Sequence, residues 1–204
     1  MFNGRKGESL YLPDVAANPQ PGPYATLVAN ARERAAEYGK IWDLFAFKNE
    51  FTVHLARFSQ GVIRTPSTIS PGTRELIAAY TSFQNECAFC TQAYAAAASV
   101  LLGDEDLVWK ALRDVEAAPI PEKDKALLRF VGKMTKNLPA MDGGDVESLR
   151  TAGWDDEAIY YAITTCALFN FYNRWITASG VAEMSEHAHR EQGQRIAGSG
   201  YNRE

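Results

Sequence analysis

Apolar residues recur at three- and four-residue intervals along most of the chain, with polar residues between them. This spacing places apolar side chains on one face of a helix. The clearest run lies within residues 41–61, with apolar positions at Ile41, Leu44, Phe45, Phe51, Leu55 and Phe58. No stretch alternates apolar and polar residues over a useful length, as a half-buried strand would. The pattern predicts an all-α fold.

Proline, glycine and serine divide this pattern into separate helices. Ser70 followed by Pro71 predicts a sharp helix start, because serine caps a helix and proline suits its first position. Gly103 and Gly180 predict helix ends. The predicted helices cover residues 24–39, 41–61, 71–84, 86–102, 105–115, 122–137, 146–152 and 155–180.

The pattern predicts one helical domain over residues 24–184, with a segment of different character on each side. Residues 1–23 are expected to form an irregular N-terminal arm, because the closely spaced prolines at its end exclude a helix there. Residues 185–204 are polar and are expected to form a C-terminal tail that frays or docks on a partner.

Composition and charge are those of a soluble globular protein. Hydrophobic residues make up 46% of the chain, charged residues 23%, and the formal net charge is -4. Lys and Arg are scattered, which argues against a nucleic-acid interface, since that needs a basic stripe. No apolar run is long enough to span a bilayer, and the N-terminus lacks the apolar core of a secretory signal. We therefore expect a cytoplasmic protein with neither a nucleic-acid nor a membrane partner.

A cysteine pair, Cys87 and Cys90, follows the turn expected at residues 85–86, in the stretch ECAFCTQAY. Helical residues three apart face the same way, so the two thiols can approach each other. The start of a helix also stabilises a thiolate, which favours redox or metal chemistry over simple packing. On this ground Cys87, which is nearer the N-terminal end of the helix, is expected to be the more acidic thiol.

Further metal ligands are scarce. A structural zinc site needs four ligands, and the chain adds only Cys166, His54, His187 and His189 to the pair. His187 and His189 are two residues apart and would point to different sides of a helix. Cys166 lies among apolar residues and is expected in the core. The sequence therefore predicts no metal and no cofactor.

A helical hairpin around residue 85 would bring Glu75 opposite Tyr94, since each lies about ten residues from the turn. Tyr94 follows Cys90 by one helical turn, so a carboxylate, a phenol and a thiol could line one wall of a pocket. The alternative for Glu75 is a first-turn acid that only complements the helix dipole.

The last predicted helix carries polar residues in apolar surroundings. Asn170, Asn173 and Arg174 either hydrogen-bond between helices or line a pocket. The aromatic residues of this helix surround it on every face, which predicts burial in a bundle or a subunit interface. These aromatics are Phe169, Phe171, Tyr172 and Trp175.

The segment RELIAAYTSFQNECAFCTQAY, residues 74–94, resembles the alkylhydroperoxidase-D-like branch of the carboxymuconolactone decarboxylase superfamily. It is most similar to the peroxidase-related members of that branch. Their motif has a glutamate twelve residues before a CxxC and a histidine four residues after it. Glu75, Cys87 and Cys90 match this motif, whereas Tyr94 stands at the histidine position. The resemblance covers roughly residues 24–181.

The resemblance implies an all-helical homo-oligomer, as dimer, trimer or hexamer, with antioxidant thiol peroxidase activity. In that scheme Cys90 attacks a peroxide and becomes a sulfenic acid, and Cys87 resolves it to a disulfide. An external dithiol, lipoyl- or thioredoxin-like, then reduces the disulfide, and Glu75 belongs to a proton relay. This order is opposite to the dipole argument, which makes Cys87 the more acidic thiol.

Tyr94 is the departure from the family motif. A phenol has a pKa of about 10 and cannot act as a base at neutral pH. It can donate a hydrogen bond to a thiolate or hold a water between Cys90 and Glu75. His54 is a candidate for the missing imidazole, against the alternative of a purely structural role.

Two other classes of function stay open. One is a non-catalytic oligomer in which the dithiol is a redox sensor or a metal clip, and the tyrosine at the histidine position supports it. The other is a lactone decarboxylase like the namesake of the superfamily. Those members do not depend on a CxxC, so the presence of the pair counts against this class.

Overall fold

The computed structural model describes residues 10–202, and in this range the chain forms helices and no strands. The expected all-α class is confirmed for these residues. A short 3-10 helix, Leu138–Ala140, joins the eighth and ninth α-helices. The α-helices are α1 Pro13–Ala17, α2 Pro23–Glu33, α3 Ile41–Phe47, α4 Asn49–Arg64, α5 Pro71–Gln84, α6 Ala88–Leu102, α7 Glu105–Arg113, α8 Glu122–Lys136, α9 Gly143–Thr151, α10 Asp156–Ser179 and α11 Glu186–Ser199.

Helices α5 and α6 form the central hairpin. The start of α5 is as the sequence predicts: the Ser70 hydroxyl oxygen accepts a hydrogen bond from the Thr73 N–H at 3.0 Å, and Pro71 is the first helical residue. The turn between the helices passes through Glu86, which has a φ of 55°. Helix α6 ends at Gly103 in the left-handed conformation, a position that favours glycine. The hairpin brings the end of α5 beside the start of α6.

Helix α5 lies at the centre of the bundle. It packs against α6, α8 and α10, and each residue from 74 to 82 is buried. A side chain on α5 therefore faces another helix whichever way it points. Among residues 10–202, no helix combines the length and the apolar content that crossing a membrane requires.

The single helix expected over residues 41–61 is two helices. Lys48 separates α3 from α4 with φ −132° and ψ 60°. The Thr52 hydroxyl donates to the Phe45 carbonyl at 2.7 Å and to the Lys48 carbonyl at 3.0 Å, which satisfies two carbonyls at the end of α3. The apolar period continues across this break, so the sequence pattern does not show it.

The N-terminal arm is less irregular than expected. Residues 1–9 lie outside the described range, but Pro13 starts the short helix α1, and proline suits that position. Leu10 is buried, and the Tyr11 N–H donates to the Ser179 carbonyl at 3.0 Å. This part of the arm is therefore tied to the end of α10.

The expectation of a fraying C-terminal tail is wrong up to residue 199, because residues 186–199 form helix α11 along α6. The Ser185 hydroxyl oxygen caps α11 by accepting a hydrogen bond from the Ala188 N–H at 3.2 Å. Gly193 lies so close to α6 that a Cβ there would overlap Ala96. The buried residues of α11 are Ala188, His189, Gly193 and Ile196, of which only two have apolar side chains, so its composition looks polar although one side of it is packed.

Candidate functional site

The cysteine pair lies at the beginning of α6. Cys87 is the residue immediately before the helix and is 4% exposed, whereas Cys90 lies in the first turn and is 0% exposed. All three cysteines, Cys166 included, are buried free thiols. The Cys87 and Cys90 side chains are hydrogen-bonded to each other. The pair therefore forms a reduced dithiol just beneath the surface.

The two thiols have opposite proton affinities. The hydrogen bond from the Cys90 side chain, helped by the Cys90 backbone N–H, lowers the pKa of Cys87 to about 7, against the effect of burial. Complete burial, and then the neighbouring Cys87, raise the pKa of Cys90 well above its usual value. Of the two thiols, Cys87 is therefore the one that ionises near neutral pH, whereas Cys90 keeps its proton. This agrees with the dipole argument for Cys87.

Two residues of α10 also hydrogen-bond to Cys87. Asn173 and Thr177, one helical turn apart, both lower its pKa, and Asn173 contacts Cys90 as well. The Asn173 amide is fixed from the other side: its Nδ2 donates to the Ser82 hydroxyl at 2.9 Å. Its Oδ1 accepts a hydrogen bond from Asn85 Nδ2 at 2.9 Å. Sequence reasoning singled out Asn173 but missed Thr177, because a single threonine at an exposed helix position gives no sequence signal.

The remaining polar residues of α10 link helices rather than line a cavity. Asn170 Oδ1 accepts hydrogen bonds from Asn85 Nδ2 at 3.0 Å and from Arg174 Nη1 at 2.7 Å. Its Nδ2 donates to the Cys166 carbonyl at 3.0 Å. Cys166 lies in the core as expected, and burial raises the pKa of its thiol. The expected hydrogen bonding between helices is confirmed for Asn170 and Asn173, whereas Arg174 donates within α10.

Glu75 lies on α5 and is 0% exposed. Arg64 Nη2 donates to its Oε1 at 2.6 Å. The Tyr201 hydroxyl donates to Oε2 at 2.9 Å and lies 3.1 Å from Oε1. Burial raises the pKa of Glu75, and Arg64 and Tyr201 act against that rise. The alternative of a first-turn acid that only complements the helix dipole is therefore wrong.

Tyr94 lies between the dithiol and the carboxylate. Its ring stacks on that of Tyr201 with the centroids 6.4 Å apart, and it meets Phe169 edge-on at 4.4 Å. Burial raises the pKa of Tyr94 well above its usual value, and the charges of Cys90 and Glu75 raise it further. The phenol is therefore neutral at neutral pH and cannot act as a base, but its hydroxyl can donate or accept a hydrogen bond. The structure thus brings together the thiol, the phenol and the carboxylate that the hairpin argument placed on one wall.

His54 does not belong to this group. It is an exposed residue of α4, whereas the α4 residues that reach Glu75 and its partners are Gln60 and Arg64. Sequence reasoning missed Arg64 and Tyr201. Both contact Glu75 across large sequence separations, which no local pattern indicates.

Metal ligation finds no support in the described part of the chain. Between residues 10 and 202, no group of three or more His, Cys, Asp or Glu side chains is placed to hold a metal ion. The described site contains two thiols, a buried carboxylate and two phenols.

Comparisons with known proteins agree with this arrangement. Residues 49–118 match the Carboxymuconolactone decarboxylase family, a range that contains Glu75 and both cysteines of the pair. No curated protein matches the chain significantly.

Two solved structures share the fold. The first is an uncharacterized peroxidase-related protein from Silicibacter sp. TM1040, with 26% identity and a TM-score of 0.76 over 92% of this chain and 97% of that one. The second is described as an alkylhydroperoxidase AhpD core, an uncharacterized peroxidase-related protein from Ralstonia eutropha JMP134. It is 21% identical with a TM-score of 0.75, over 91% of this chain and 98% of that one, and at this identity it shows the fold alone. Residues 49–118 thus carry a carboxymuconolactone decarboxylase family domain, and the chain is similar in fold to structures described as peroxidase-related, which supports the superfamily and branch that its Glu75–CxxC motif resembles.

Proposed function

We propose that this chain is a thiol oxidoreductase that reduces organic hydroperoxides through a Cys87–Cys90 dithiol–disulfide cycle. The observation that carries the proposal is the Cys87 thiol at the start of α6, whose pKa is lowered to about 7 by a second thiol beside it. The thiolate is the reactive form of cysteine. The family domain and the similarity to structures described as peroxidase-related support the same class.

The reaction has two steps at the protein. The Cys87 thiolate attacks the outer oxygen of R–O–O–H, so an S–O bond forms, the O–O bond breaks, and the alkoxide RO⁻ takes up a proton. The product is Cys87 sulfenic acid, in which the sulfur has been oxidised by two electrons. The Cys90 sulfur then attacks it, forming the disulfide and releasing water with the Cys90 proton. An external dithiol, lipoyl- or thioredoxin-like, returns both cysteines to thiols.

This order is the reverse of the one that the resemblance implies. Cys87 is nearer the surface than Cys90 and is flanked by Thr177 on an exposed position, so a peroxide reaches it first. Cys90 keeps its proton until the second step, when its sulfur becomes the nucleophile. Tyr94, at the family's histidine position, interacts electrostatically with both Cys90 and Glu75, and it would connect that proton to the carboxylate.

Two further features are part of the proposal. Large aromatic side chains are exposed on α4 and α10, among them Phe51, Phe58 and Phe171, and they support a homo-oligomer. A reducing cytoplasm would keep the dithiol in the free form described above.

The test is a free-thiol count and intact mass before and after one equivalent of cumene hydroperoxide. We expect rapid loss of two thiols, mapped to Cys87 and Cys90, and repeated turnover with dihydrolipoamide. A Cys166→Ser variant is the matched control and should behave like the wild type. Unchanged thiols in the wild-type protein would overturn the peroxidase proposal.

Single variants decide the order of the two cysteines. In Cys90→Ser, peroxide should produce a sulfenic acid on Cys87 that dimedone traps in one rapid step. In Cys87→Ser, trapping at Cys90 should be slower, because its thiol stays protonated. Rapid trapping at Cys90 alone would restore the order implied by the resemblance.

The redox-sensor alternative is favoured by one observation, the near-complete burial of both thiols. A sensor would be oxidised slowly and stoichiometrically, without recycling by dihydrolipoamide. The same mass measurement separates that outcome from turnover.

A further inference from the structure

We propose that Tyr201, in the segment that follows α11, is a positioning residue of the proton relay and holds the Glu75 carboxylate ready to take up a proton. Its part in turnover rests on the proposed function, whereas its effect on Glu75 does not. No family motif and no sequence pattern pointed to this residue.

The contact is made with both oxygens of the carboxylate. The Tyr201 hydroxyl donates to Oε2 of Glu75 at 2.9 Å and lies 3.1 Å from Oε1, which also accepts the Arg64 hydrogen bond at 2.6 Å. Glu75 is wholly buried, and burial disfavours the charged form of a carboxyl group. Donors to the carboxylate favour that charged form. Tyr201 and Arg64 thus stabilise the charged form of Glu75, which burial disfavours.

Tyr201 is held in place by contacts from α4 and α11. Its N–H donates to Gln60 Oε1 at 2.7 Å. The Arg64 guanidinium lies 5.5 Å from the centroid of the Tyr201 ring and donates to the Ile196 carbonyl at 2.8 Å. Gly200 precedes it with a φ of 70°, and a Cβ there would overlap Gln60. The segment that carries Gly200 and Tyr201 is therefore held against α4 by backbone as well as side-chain groups.

The position of Tyr201 explains how the site manages without the family's histidine. Tyr94 stands at the histidine position, and its ring stacks on that of Tyr201. Burial raises the pKa of Tyr201 well above its usual value, so neither phenol is a base at neutral pH. The base must be Glu75, and the second phenol keeps it ionised and oriented.

The groups that face Glu75 can be named for each element packed around it. Arg64 comes from α4, Tyr94 from α6, Arg195 from α11 and Tyr201 from the segment after α11. Both arginines favour the carboxylate, and both tyrosines are neutral. Loss of the Tyr201 hydroxyl therefore moves the pKa of Glu75 in one direction, upward.

The test is Tyr201→Phe, which removes the hydroxyl and keeps the ring stacked on Tyr94. The full chain, labelled with ¹³C at the glutamate carboxyl carbon, is titrated by NMR, and Glu75→Gln identifies the Glu75 signal. We expect the Glu75 midpoint to rise by at least about one pH unit, as loss of a donor to a buried carboxylate predicts. Tyr160→Phe, at an exposed position of α10, is the matched control and should leave it unchanged. A Glu75 midpoint equal to that of the wild type would overturn the proposal.

A second readout concerns turnover. The acidic limb of the pH profile for peroxide-driven disulfide formation should move to higher pH in Tyr201→Phe. At a fixed pH on the acidic side of this limb, the rate of Tyr201→Phe should be about tenfold lower than that of the wild type for each pH unit by which the limb has moved. An unmoved limb in an active, folded variant would count against the relay role. If the wild-type protein lost no thiols to peroxide, the proposed function would fail, but the NMR titration would still decide the effect on Glu75.

Gln60→Ala serves if Tyr201→Phe does not fold. It removes the acceptor of the Tyr201 N–H and leaves the phenol in the chain. The Glu75 midpoint should move upward, by less than in Tyr201→Phe. A midpoint that stays at the wild-type value in a variant with a normal Tm would contradict the docking argument.

Discussion

Arg74 and Glu75 are neighbours on α5, and both are 0% exposed, yet their partners differ in kind. Arg74 donates to three backbone carbonyls: those of Ile69 at 3.2 Å, Val62 at 2.9 Å and Thr65 at 2.7 Å. Val62 and Thr65 lie at the C-terminal end of α4, where carbonyls lack partners within the helix. The Glu75 carboxylate is held by the side chains of Arg64 and Tyr201.

The difference separates a buried charge that stabilises the fold from one that is fit for chemistry. Backbone carbonyls cannot change their charge, so the hydrogen bonds of Arg74 do not depend on the protonation of their acceptors, although the titratable Tyr161 ring lies 4.3 Å from its guanidinium. Glu75 is a group whose proton affinity is set by side chains, and its environment changes when one of them is replaced. Burial alone therefore does not identify a functional charge; the nature of the partners does.

Removal of Arg74 should have the largest effect on stability. Arg74→Met leaves the carbonyls it binds without donors, and each unsatisfied buried acceptor costs about 1–3 kcal/mol. We expect the free energy of unfolding to fall by about 3–6 kcal/mol, measured by urea denaturation. Arg129→Met is the control, because Arg129 pairs with Glu116 and Glu122 at the exposed surface and its loss should cost far less.

Buried His189 extends the comparison to a group whose environment disfavours its charge. It is 4% exposed, its Nδ1 has no hydrogen-bond partner among the described residues, and burial lowers its pKa to about 4. Because the unfolded chain then binds this proton more tightly, stability should be full above pH ~6.5 and fall towards pH ~4. The loss should be on the order of 3 kcal/mol, and His189→Gln should flatten this part of the curve of unfolding free energy against pH. His187→Gln, at an exposed position, should leave the curve as it is.

A double-mutant cycle should separate the two neighbours directly. Arg64→Met leaves the Glu75 carboxylate short of a partner, so we expect a loss of roughly 2–3 kcal/mol at pH 8. In a Glu75→Gln background, Arg64→Met should lower the free energy of unfolding by at least about 1 kcal/mol less than it does in the wild-type protein. Arg74→Met, in contrast, should couple less strongly to Glu75→Gln than Arg64→Met does, because the three carbonyls that hold Arg74 do not bind Glu75. A coupling energy between Arg74→Met and Glu75→Gln as large as that between Arg64→Met and Glu75→Gln would contradict the distinction between the two buried charges.

The smallest effect concerns the dithiol, where backbone and side-chain donors act together. Thr177→Val removes one hydroxyl donor and leaves the Cys90 contributions in place. The pKa of Cys87 should rise by about half a unit, read from thiolate absorbance near 240 nm against pH. Thr164→Val, on the same helix but hydrogen-bonded to the Tyr160 carbonyl, is the control and should not shift it.

The sequence predicts the fold well where one residue type dictates the backbone. Ser70 and Pro71 start α5, and Gly103 and Gly180 end α6 and α10 in the left-handed conformation. The break at Lys48 was missed, because neither proline nor glycine marks it and the apolar period runs through it. Helix α11 was missed for a related reason: its buried side is made of Ala188, His189, Gly193 and Ile196, which do not form an apolar stripe.

The candidate site was predictable where its residues share one local motif. Glu75, Cys87, Cys90 and Tyr94 lie on adjacent helices joined by a tight turn, so helical geometry alone brings them together. Arg64 is at the end of an amphipathic helix, where a charged residue is usually solvent-exposed. Tyr201 lies in a polar segment, which does not predict a buried contact. Their contacts with Glu75 arise from packing between distant parts of the chain, which periodicity does not encode.

The sequence separation between Glu75 and Tyr201 is 126 residues, whereas the two thiols are three residues apart. Closing such a long loop costs more entropy than closing a helical turn, and non-local contacts slow folding. A refolding chain should therefore have its thiol pair before the carboxylate has its phenol. An oxidant that arrives in this interval would meet the two thiols before Glu75 has its phenol, so a disulfide formed then would not depend on that carboxylate.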